Sequence, residues 1–469
     1  MRVLILGAGP TGLSAARRLV ERGHDDWLLV DAATSVGGLS SSVIDHQGFT
    51  WDLGGHVLFS HYRYFDRLMD AALGDAWVEH EREAWVWMRE RWIPYPFQNN
   101  IWRLPDEDLA ACLDGLVAVH RLPSAGRPAT FADWLQQAFG TGLCDTFMNP
   151  YNFKVWAYDP SRLDTGWMGE RVATVDLARV LRNLVHRRDD VSWGPNATFR
   201  FPLHGGTGSI WTSIAAMLPE GHLSLGRRAM AVDSRAKTVR FADGSEERYD
   251  ALISSMPADA LLGMLDDRQT HRPLAEQFVH SSSHIVGVGF EGAPPDALRT
   301  KCWMYFPESD TPFYRVTVFS NYSPNNVSVP GAQWSLMAEV SESPDKPVEA
   351  SRIVDDVIAG FRRVGFIDGS TRILSRFHRR LPYGYPTPWL GRDNVLGQVL
   401  PMLEGRDILS RGRFGAWKYE VSNQDHSALQ GVEAVDRLLL GAPEQTVGGV
   451  MNVEPAELAP SLSARALSR

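Results

Sequence analysis

The chain opens on four consecutive apolar residues, Val3-Leu4-Ile5-Leu6, and runs straight into glycines. An unbroken, branched apolar run predicts a strand buried on both faces, as in a parallel sheet. Gly7-Ala-Gly9-Pro-Thr-Gly12 follows, and Ser14 to Arg22 has helical spacing. A second apolar strand, Trp27 to Val30, ends at Asp31. Trp85 to Trp87 alternates like a half-buried strand, and another tryptophan-rich stretch spans Trp92 to Asn100. From about 106 to 190 the periodicity is helical, as in Phe131-Ala-Asp-Trp-Leu-Gln-Gln-Ala-Phe139, which predicts an inserted helical unit. Phe199-Arg-Phe-Pro leads into Gly205-Gly206-Thr207-Gly208, a second strand-to-helix turn. Thr238 to Phe241, the turn Ala242-Asp243-Gly244 and a return through Arg248 predict a hairpin. Ala251 to Pro257 is again an apolar strand ending in a loop. The segments His284 to Glu291, Phe313 to Ser320 and Gln333 to Val340 predict a mostly antiparallel sheet, with Ile353 to Phe361 as a covering helix. Gly412 to Leu440 ends in an expected amphipathic helix, and the tail beyond about 443 reads as loosely ordered.

The first strand, glycine turn and helix form the cradle of a dinucleotide site. Glycines let the backbone approach a pyrophosphate, which rests on the N–H groups at the helix start. Asp31 stands at the distance downstream expected of a ribose-binding carboxylate. Gly37-Gly38 and Gly54-Gly55-His56 add close backbone approaches, which favour the long FAD molecule over NAD. The expected fold is therefore α/β: an FAD-binding Rossmann-like domain, an inserted helical domain and a mostly antiparallel β-sheet substrate domain. The FAD domain is expected to be discontinuous, over 1–80, 200–265 and 405–445. The helical insertion covers 103–195, the sheet domain 81–102 and 266–404, and the tail 446–469.

At 469 residues the chain needs two or three structural units. A net charge of −9 argues against general affinity for nucleic acid or acidic membranes, so an anionic substrate needs a local arginine pocket. Cys112, Cys144 and Cys302 are odd in number and widely spaced, without CxxC or neighbouring histidine. They predict neither a disulfide framework nor a zinc site, and no metal is expected. No apolar run is long enough to span a membrane and no cleavage-site pattern follows the first strand, so a cytoplasmic protein without stable membrane insertion is expected. The oligomeric state stays open.

Arg171, in Trp167-Met-Gly-Glu-Arg171, and Arg315, in Pro312-Phe-Tyr-Arg315, stand in glycine- or aromatic-flanked contexts. Tyr305, Tyr322, Tyr385 and Tyr419 share loop-like or strand-edge positions. Guanidinium forks and phenol hydroxyls suit a diphosphate, although packing at a core edge accounts for such tyrosines equally well. The residues by themselves thus point to an FAD protein with a phosphate-bearing ligand.

Longer strings extend this reading. Gly54-Gly-His-Val-Leu-Phe-Ser-His61, Trp92-Ile-Pro-Tyr-Pro-Phe-Gln-Asn-Asn100, Tyr151-Asn-Phe-Lys-Val-Trp156 and Gly194-Pro-Asn-Ala-Thr-Phe-Arg-Phe-Pro202 resemble the eukaryotic-type branch of the UDP-galactopyranose mutase family. So do Pro312-Phe-Tyr-Arg-Val-Thr-Val-Phe-Ser-Asn-Tyr-Ser-Pro324 and Trp417-Lys-Tyr-Glu-Val-Ser-Asn-Gln-Asp-His-Ser427. The resemblance spans roughly residues 1 to 440. It implies a net non-redox isomerisation of UDP-galactopyranose to UDP-galactofuranose, in which N5 of reduced FAD forms a covalent adduct with the sugar while UDP departs. NADPH or NADH is the implied reductant.

By matching motif, the resemblance places Arg171 and Arg315 on the diphosphate, with hydroxyls from Tyr305, Tyr385 and Tyr419, and Tyr322 in the same pocket. Tyr95, Phe97 and Gln98 would hold the uracil, with Phe147, Asn152 and Trp156 beside it. Asn196 falls near the sugar, Arg82 near the reacting centre, and His56 among the catalytic group as part of a backbone loop that responds to flavin reduction. For FAD, Gly7, Gly9 and Gly12 match the pyrophosphate turn and Asp31 the ribose. Gly38, Gly55 and His56 would line the flavin ring, Ala229 the adenine, and Arg413, Asn423, Gln424 and Ser427 the C-terminal flavin segment.

Three readings compete on these residues: a mutase for this or another nucleotide sugar, an FAD-dependent oxidase or desaturase of amine-oxidase-like architecture, and a non-enzymatic escort module. An oxidase of that kind calls for an apolar or cation-binding cavity, and an escort module has no need of flavin contacts. The purified protein is expected to be yellow, with a flavin absorption band; a colourless, flavin-free preparation would select the escort module.

Overall fold

The computed structural model describes residues 1–121, 126–168, 172, 174–191 and 197–456. Val3–Leu6 is the middle strand of a five-stranded parallel sheet, in the order Ile408–Ser410, Ala251–Ser254, Val3–Leu6, Trp27–Val30, Leu223–Ser224. All four residues of the first strand are buried, which is why it is apolar without alternation. The helix after it runs Pro10–Glu21 rather than from Ser14, because Pro10 needs no N–H donor at a first helical position and Gly9 stands before it as the cap.

The last helix, Gln424–Leu440, lies against Pro10–Glu21, so the two ends of the described chain close one layer. They touch backbone to backbone: a Cβ on Gly431 would come within 2.1 Å of the Thr11 carbonyl oxygen. Arg18, 2% exposed, donates from Nε and Nη2 to the two oxygens of Asp436 at 2.9 and 2.8 Å. Arg22 adds a third bond to the same carboxylate. The helix is not amphipathic as expected. It is buried on nearly every side from Asp425 to Asp436, because helices and sheet enclose it.

A second sheet of seven strands follows the order Ile373–Pro386, His280–Glu291, Gln333–Glu342, Arg315–Val318, Trp303–Tyr305, Ala84–Met88, Arg91–Pro94. All its pairs are antiparallel except Trp303–Tyr305 with Ala84–Met88. Gly287 and Gly289 on the long strand His280–Glu291 make room for Trp51 and Phe49: a Cβ would lie 2.4 and 2.5 Å from those rings. The strand expected from Phe313 to Ser320 is shorter, Arg315–Val318, and Phe319–Tyr322 is a single helical turn. Helix Ile353–Arg363 covers one face with Val357 and Phe361 against Val286, Val316 and Leu336.

The helical stretch holds Asp106–Arg121, Phe131–Leu143, Asn149–Trp156 and Leu177–His186. A three-stranded antiparallel meander, Ala229–Asp233, Thr238–Phe241 and Glu246–Arg248, sits beside the parallel sheet. The tail is tied further than expected. Glu444 accepts from Arg437 and from buried Arg411, and Thr446 is fully buried on Glu433. Among the described residues no helix is long and apolar enough to cross a membrane.

Removing one member of a buried ion network leaves the other charges without compensation. Asp436→Ala, which removes the carboxylate that Arg18 and Arg22 share and leaves Arg18 its pair with Glu21, is expected to cost on the order of 3 kcal/mol, measured as a lowered thermal unfolding midpoint with unchanged secondary structure.

Candidate active site

One cavity of about 660 Å³ opens between the two sheets. Its first wall is the nucleotide turn: Gly7, Gly9, Pro10 and Thr11, with Asp31, Arg227 and Ala229. Gly7 adopts a φ of +104°, which favours glycine, and a Cβ on Gly12 would lie 1.9 Å from the Gly7 carbonyl oxygen. Gly12 therefore packs helix on strand and is not among the residues lining the cavity. Gly38, at φ +54°, approaches Gly9 so closely that a Cβ would sit 3.3 Å from its Cα. The Asp31 carboxylate accepts from the backbone N–H groups of Ala8 and Ala33 at 2.6 and 2.7 Å. These two bonds fix its position at the tip of the second strand.

The second wall carries charge. Arg315 begins the strand Arg315–Val318 and pairs in register with Glu339 on the neighbouring strand. Its Nε and Nη2 donate to the two Glu339 oxygens, both at 2.7 Å. Glu339, 3% exposed, also accepts from the Gly55 N–H at 3.0 Å and the Tyr314 hydroxyl at 2.8 Å. Burial works against both charges, but the attraction between them outweighs it. Arg315 is held well above the usual guanidinium value, and the Glu339 carboxyl below the usual carboxylate range. Tyr385 approaches Tyr314 at 3.4 Å between hydroxyls. Burial pushes the Tyr314, Tyr322 and Tyr385 phenols up, so all remain hydrogen-bond donors at neutral pH. Arg413 donates to the Ser422 hydroxyl and the Gly384 carbonyl and lies over the Tyr385 ring. Arg82 stacks 4.7 Å from the Trp303 ring centroid.

Between the walls stands the loop Gly54-Gly55-His56. Burial, with positive charge from Arg413 and Arg315, brings the His56 imidazole down to about 4 despite the opposing Glu339 charge. His56 is thus neutral at physiological pH, and its buried Nδ1 has no hydrogen-bond partner among the described residues. Beneath the loop, Asp52 accepts from Ser42 Oγ at 2.5 Å, Thr207 Oγ1 at 2.7 Å and Thr207 N at 3.1 Å. The second glycine turn, Gly205 to Gly208, therefore binds a carboxylate of its own chain and does not line the cavity.

Of the residues singled out in the sequence, Gly7, Gly9, Asp31, Gly38, Gly55, His56, Ala229, Arg413, Asn423, Gln424 and Ser427 line this cavity. Arg82, Tyr305, Arg315, Tyr322, Tyr385 and Tyr419 line it too. Arg171 and Asn196 lie outside the described residues. The residues matched to uracil form an adjoining aromatic cluster. Tyr95 packs on Tyr305 at 4.9 Å, and Trp156 on Tyr419 at 4.8 Å. Phe97 stacks directly on Phe147 at 4.3 Å, so no base fits between those rings until they part. Gln98 is buried, and the Asn152 amide donates to the Met148 carbonyl. Sequence reasoning missed Glu339, Tyr314 and Arg227. The signal for the first was a lone carboxylate inside the otherwise uncharged strand Gln333 to Val340.

The donor set fits FAD. A glycine cradle at a helix start, a ribose-type carboxylate, close backbone approaches and a buried unpaired ring nitrogen share one cavity. Comparison with known proteins agrees. The flavin containing amine oxidoreductase model matches residues 10–388. A reduced UDP-galactopyranose mutase crystal structure superposes with a TM-score of 0.93 at 50% identity, over 95% of both chains. The chain belongs to the flavin containing amine oxidoreductase family, in its UDP-galactopyranose mutase branch. A putative protoporphyrinogen oxidase from Exiguobacterium shares the fold, with a TM-score of 0.72 at 16% identity over 94% of this chain and 99% of its own. Zeta-carotene desaturase of Arabidopsis thaliana is 38% identical over 69 residues, 15% of this chain and only 12% of the desaturase.

Burial holds the Asp52 carboxyl up at about 7, against the three hydrogen bonds that lower it. A carboxyl whose folded value exceeds its unfolded one binds its proton more tightly when folded, so stability falls as pH rises from about 4 through 7. Asp52→Asn removes that titration. Its stability relative to the parent is expected to improve by on the order of 2 kcal/mol between pH 5 and pH 8, read by denaturant unfolding at both values.

Proposed function

We propose that the protein interconverts UDP-galactopyranose and UDP-galactofuranose on a bound, reduced FAD, with no net electron consumption. The observation that carries this reading is Arg315, fixed by Glu339 and ringed by Tyr305, Tyr385 and Tyr419, in the same cavity as the dinucleotide turn. When bound and reduced, the flavin supplies an electron-rich nucleophile for the anomeric carbon. The chain supplies position and charge.

Glu339 occupies Nε and Nη2 of Arg315, so the guanidinium enters the reaction already oriented. Such preorganisation is worth most where negative charge gathers on a departing diphosphate. Tyr305, Tyr385 and Tyr419 add hydroxyl hydrogen-bond donors. The nucleoside is assigned to the adjoining aromatic cluster, with Tyr95, Phe97, Gln98, Phe147, Asn152 and Trp156 around it. Arg171 is assigned as a second fork on the diphosphate and Asn196 as a sugar contact. Neutral His56 presents its loop backbone and does not serve as a cationic acid. A polyene substrate, as for the desaturases, would find five arginines in the lining, among them Arg82, Arg315 and Arg413. NADPH or NADH as reductant and a cytoplasmic setting complete the proposal.

Incubated with UDP-galactose, dithionite-reduced protein is expected to yield a UDP-furanose peak on chromatography, while the oxidised protein yields none. Peroxide release with a different substrate and no furanose would select the oxidase reading. Arg315→Ala is expected to lower kcat by roughly 100- to 1,000-fold, about 3–4 kcal/mol of transition-state stabilisation. A change under about threefold would remove Arg315 from the diphosphate.

A further inference from the structure

We propose that His61, Asp425 and His426 form a binding site for one divalent transition-metal ion, with zinc as its representative. The site lies where the flavin-side loop meets the last helix. The sequence alone predicts no metal, and these three residues take no part in the reaction proposed for the cavity. His61 ends the string that begins at Gly54, whereas Asp425 and His426 occupy the first turn of Gln424–Leu440. One ligand atom from each residue lies within 4.8 Å of the others.

Asp425 sits between the two imidazoles. His61 Nδ1 is 2.7 Å from one carboxylate oxygen, and His426 Nδ1 is 2.8 Å from the other. The two rings are 4.9 Å apart between centroids. The His61 contact is a well-formed hydrogen bond. The His426 contact is short but misdirected, so neither ring nitrogen of His426 nor Asp425 Oδ1 has a hydrogen-bond partner among the described residues. His426 is 2% exposed and Asp425 1%. A histidine buried for packing ordinarily places at least one ring N–H on an acceptor, because an unsatisfied buried polar group is costly.

Two imidazoles and one carboxylate form a donor set suited to Zn²⁺, Fe²⁺, Co²⁺ or Ni²⁺, with remaining positions for water. His61, with 28% of its side chain exposed, leaves access from solvent. Tyr62 closes one side, its ring edge-on to His426 at 5.6 Å. An ion there would tie the Gly55–His56–Phe59 wall of the cavity to Asn423, Gln424 and Ser427 on the other wall. The 364 positions between His61 and Asp425 explain why no short metal motif appears in the sequence.

The test uses the full-length, flavin-loaded protein, dialysed against chelator and titrated with Zn²⁺ by calorimetry. The expected result is one equivalent bound, weakened by about tenfold or more in both His61→Ala and His426→Gln while the flavin absorption band is kept. If His426→Gln loses its flavin, the partly exposed His61→Ala decides alone. No zinc uptake at a concentration of about 100 µM, roughly a thousand-fold above the dissociation constant that about 10 kcal/mol of binding implies, overturns the proposal. So does binding of unchanged affinity in the folded variants, which would locate the ion elsewhere.

Discussion

The bidentate pair between Arg315 and Glu339 is the constraint on which the reactive part of the cavity depends. Glu339 is buried and carries four donors: two from Arg315, one from the Gly55 backbone and one from Tyr314. A carboxylate so placed is tolerable only because each oxygen is satisfied. The same contacts fix the Gly54–His56 loop, orient the Arg315 guanidinium in the cavity lining, and bring Tyr314 to Tyr385. One buried charge thus coordinates three surfaces that belong to different parts of the chain.

The remaining architecture places that pair opposite the nucleotide turn. The parallel sheet presents Gly7, Gly9 and Asp31 at the ends of its strands, where ligands bind in open α/β sheets. The seven-stranded sheet presents Tyr305, Arg315 and Tyr385 from three of its strands. The segment from Ser42 to His56 spans the gap. Trp51 and Phe49 pack over Gly287 and Gly289 on the large sheet, while Asp52 grips Thr207 at the start of a helix. Position is therefore inherited from two rigid sheets rather than from loops alone.

Features set by local chemistry were legible in the sequence. The first strand, the glycine spacing, Asp31 and the hairpin at Asp243 depend on neighbours a few residues away, and the structure has them. Features set by tertiary contact were not. Helix Gln424–Leu440 has polar residues such as Glu433 and Asp436 that suggest a wet face, but these are buried on Thr446 and on Arg18 and Arg22. Glu444 and Thr446 looked like tail residues until their buried partners were seen. Glu339 went unnoticed because its partner lies 24 positions away on an adjacent strand. Arg315 and the tyrosines stood out only by their aromatic surroundings, and family resemblance, not spacing, gave them roles. Gly12 was matched to the pyrophosphate turn by its spacing, and its close contact in the structure is with the Gly7 carbonyl.

The strand order has a consequence for how the protein is made. The strand Val3–Leu6 finds one sheet neighbour at Ala251–Ser254, and its following helix packs most extensively on Gln424–Leu440. Pairings across so much chain close slowly and leave apolar surface bare in the meantime. A chain under synthesis must hold that unit unfinished until Gln424–Leu440 has emerged. Truncation anywhere before the final helix would leave Pro10–Glu21 without that packing partner.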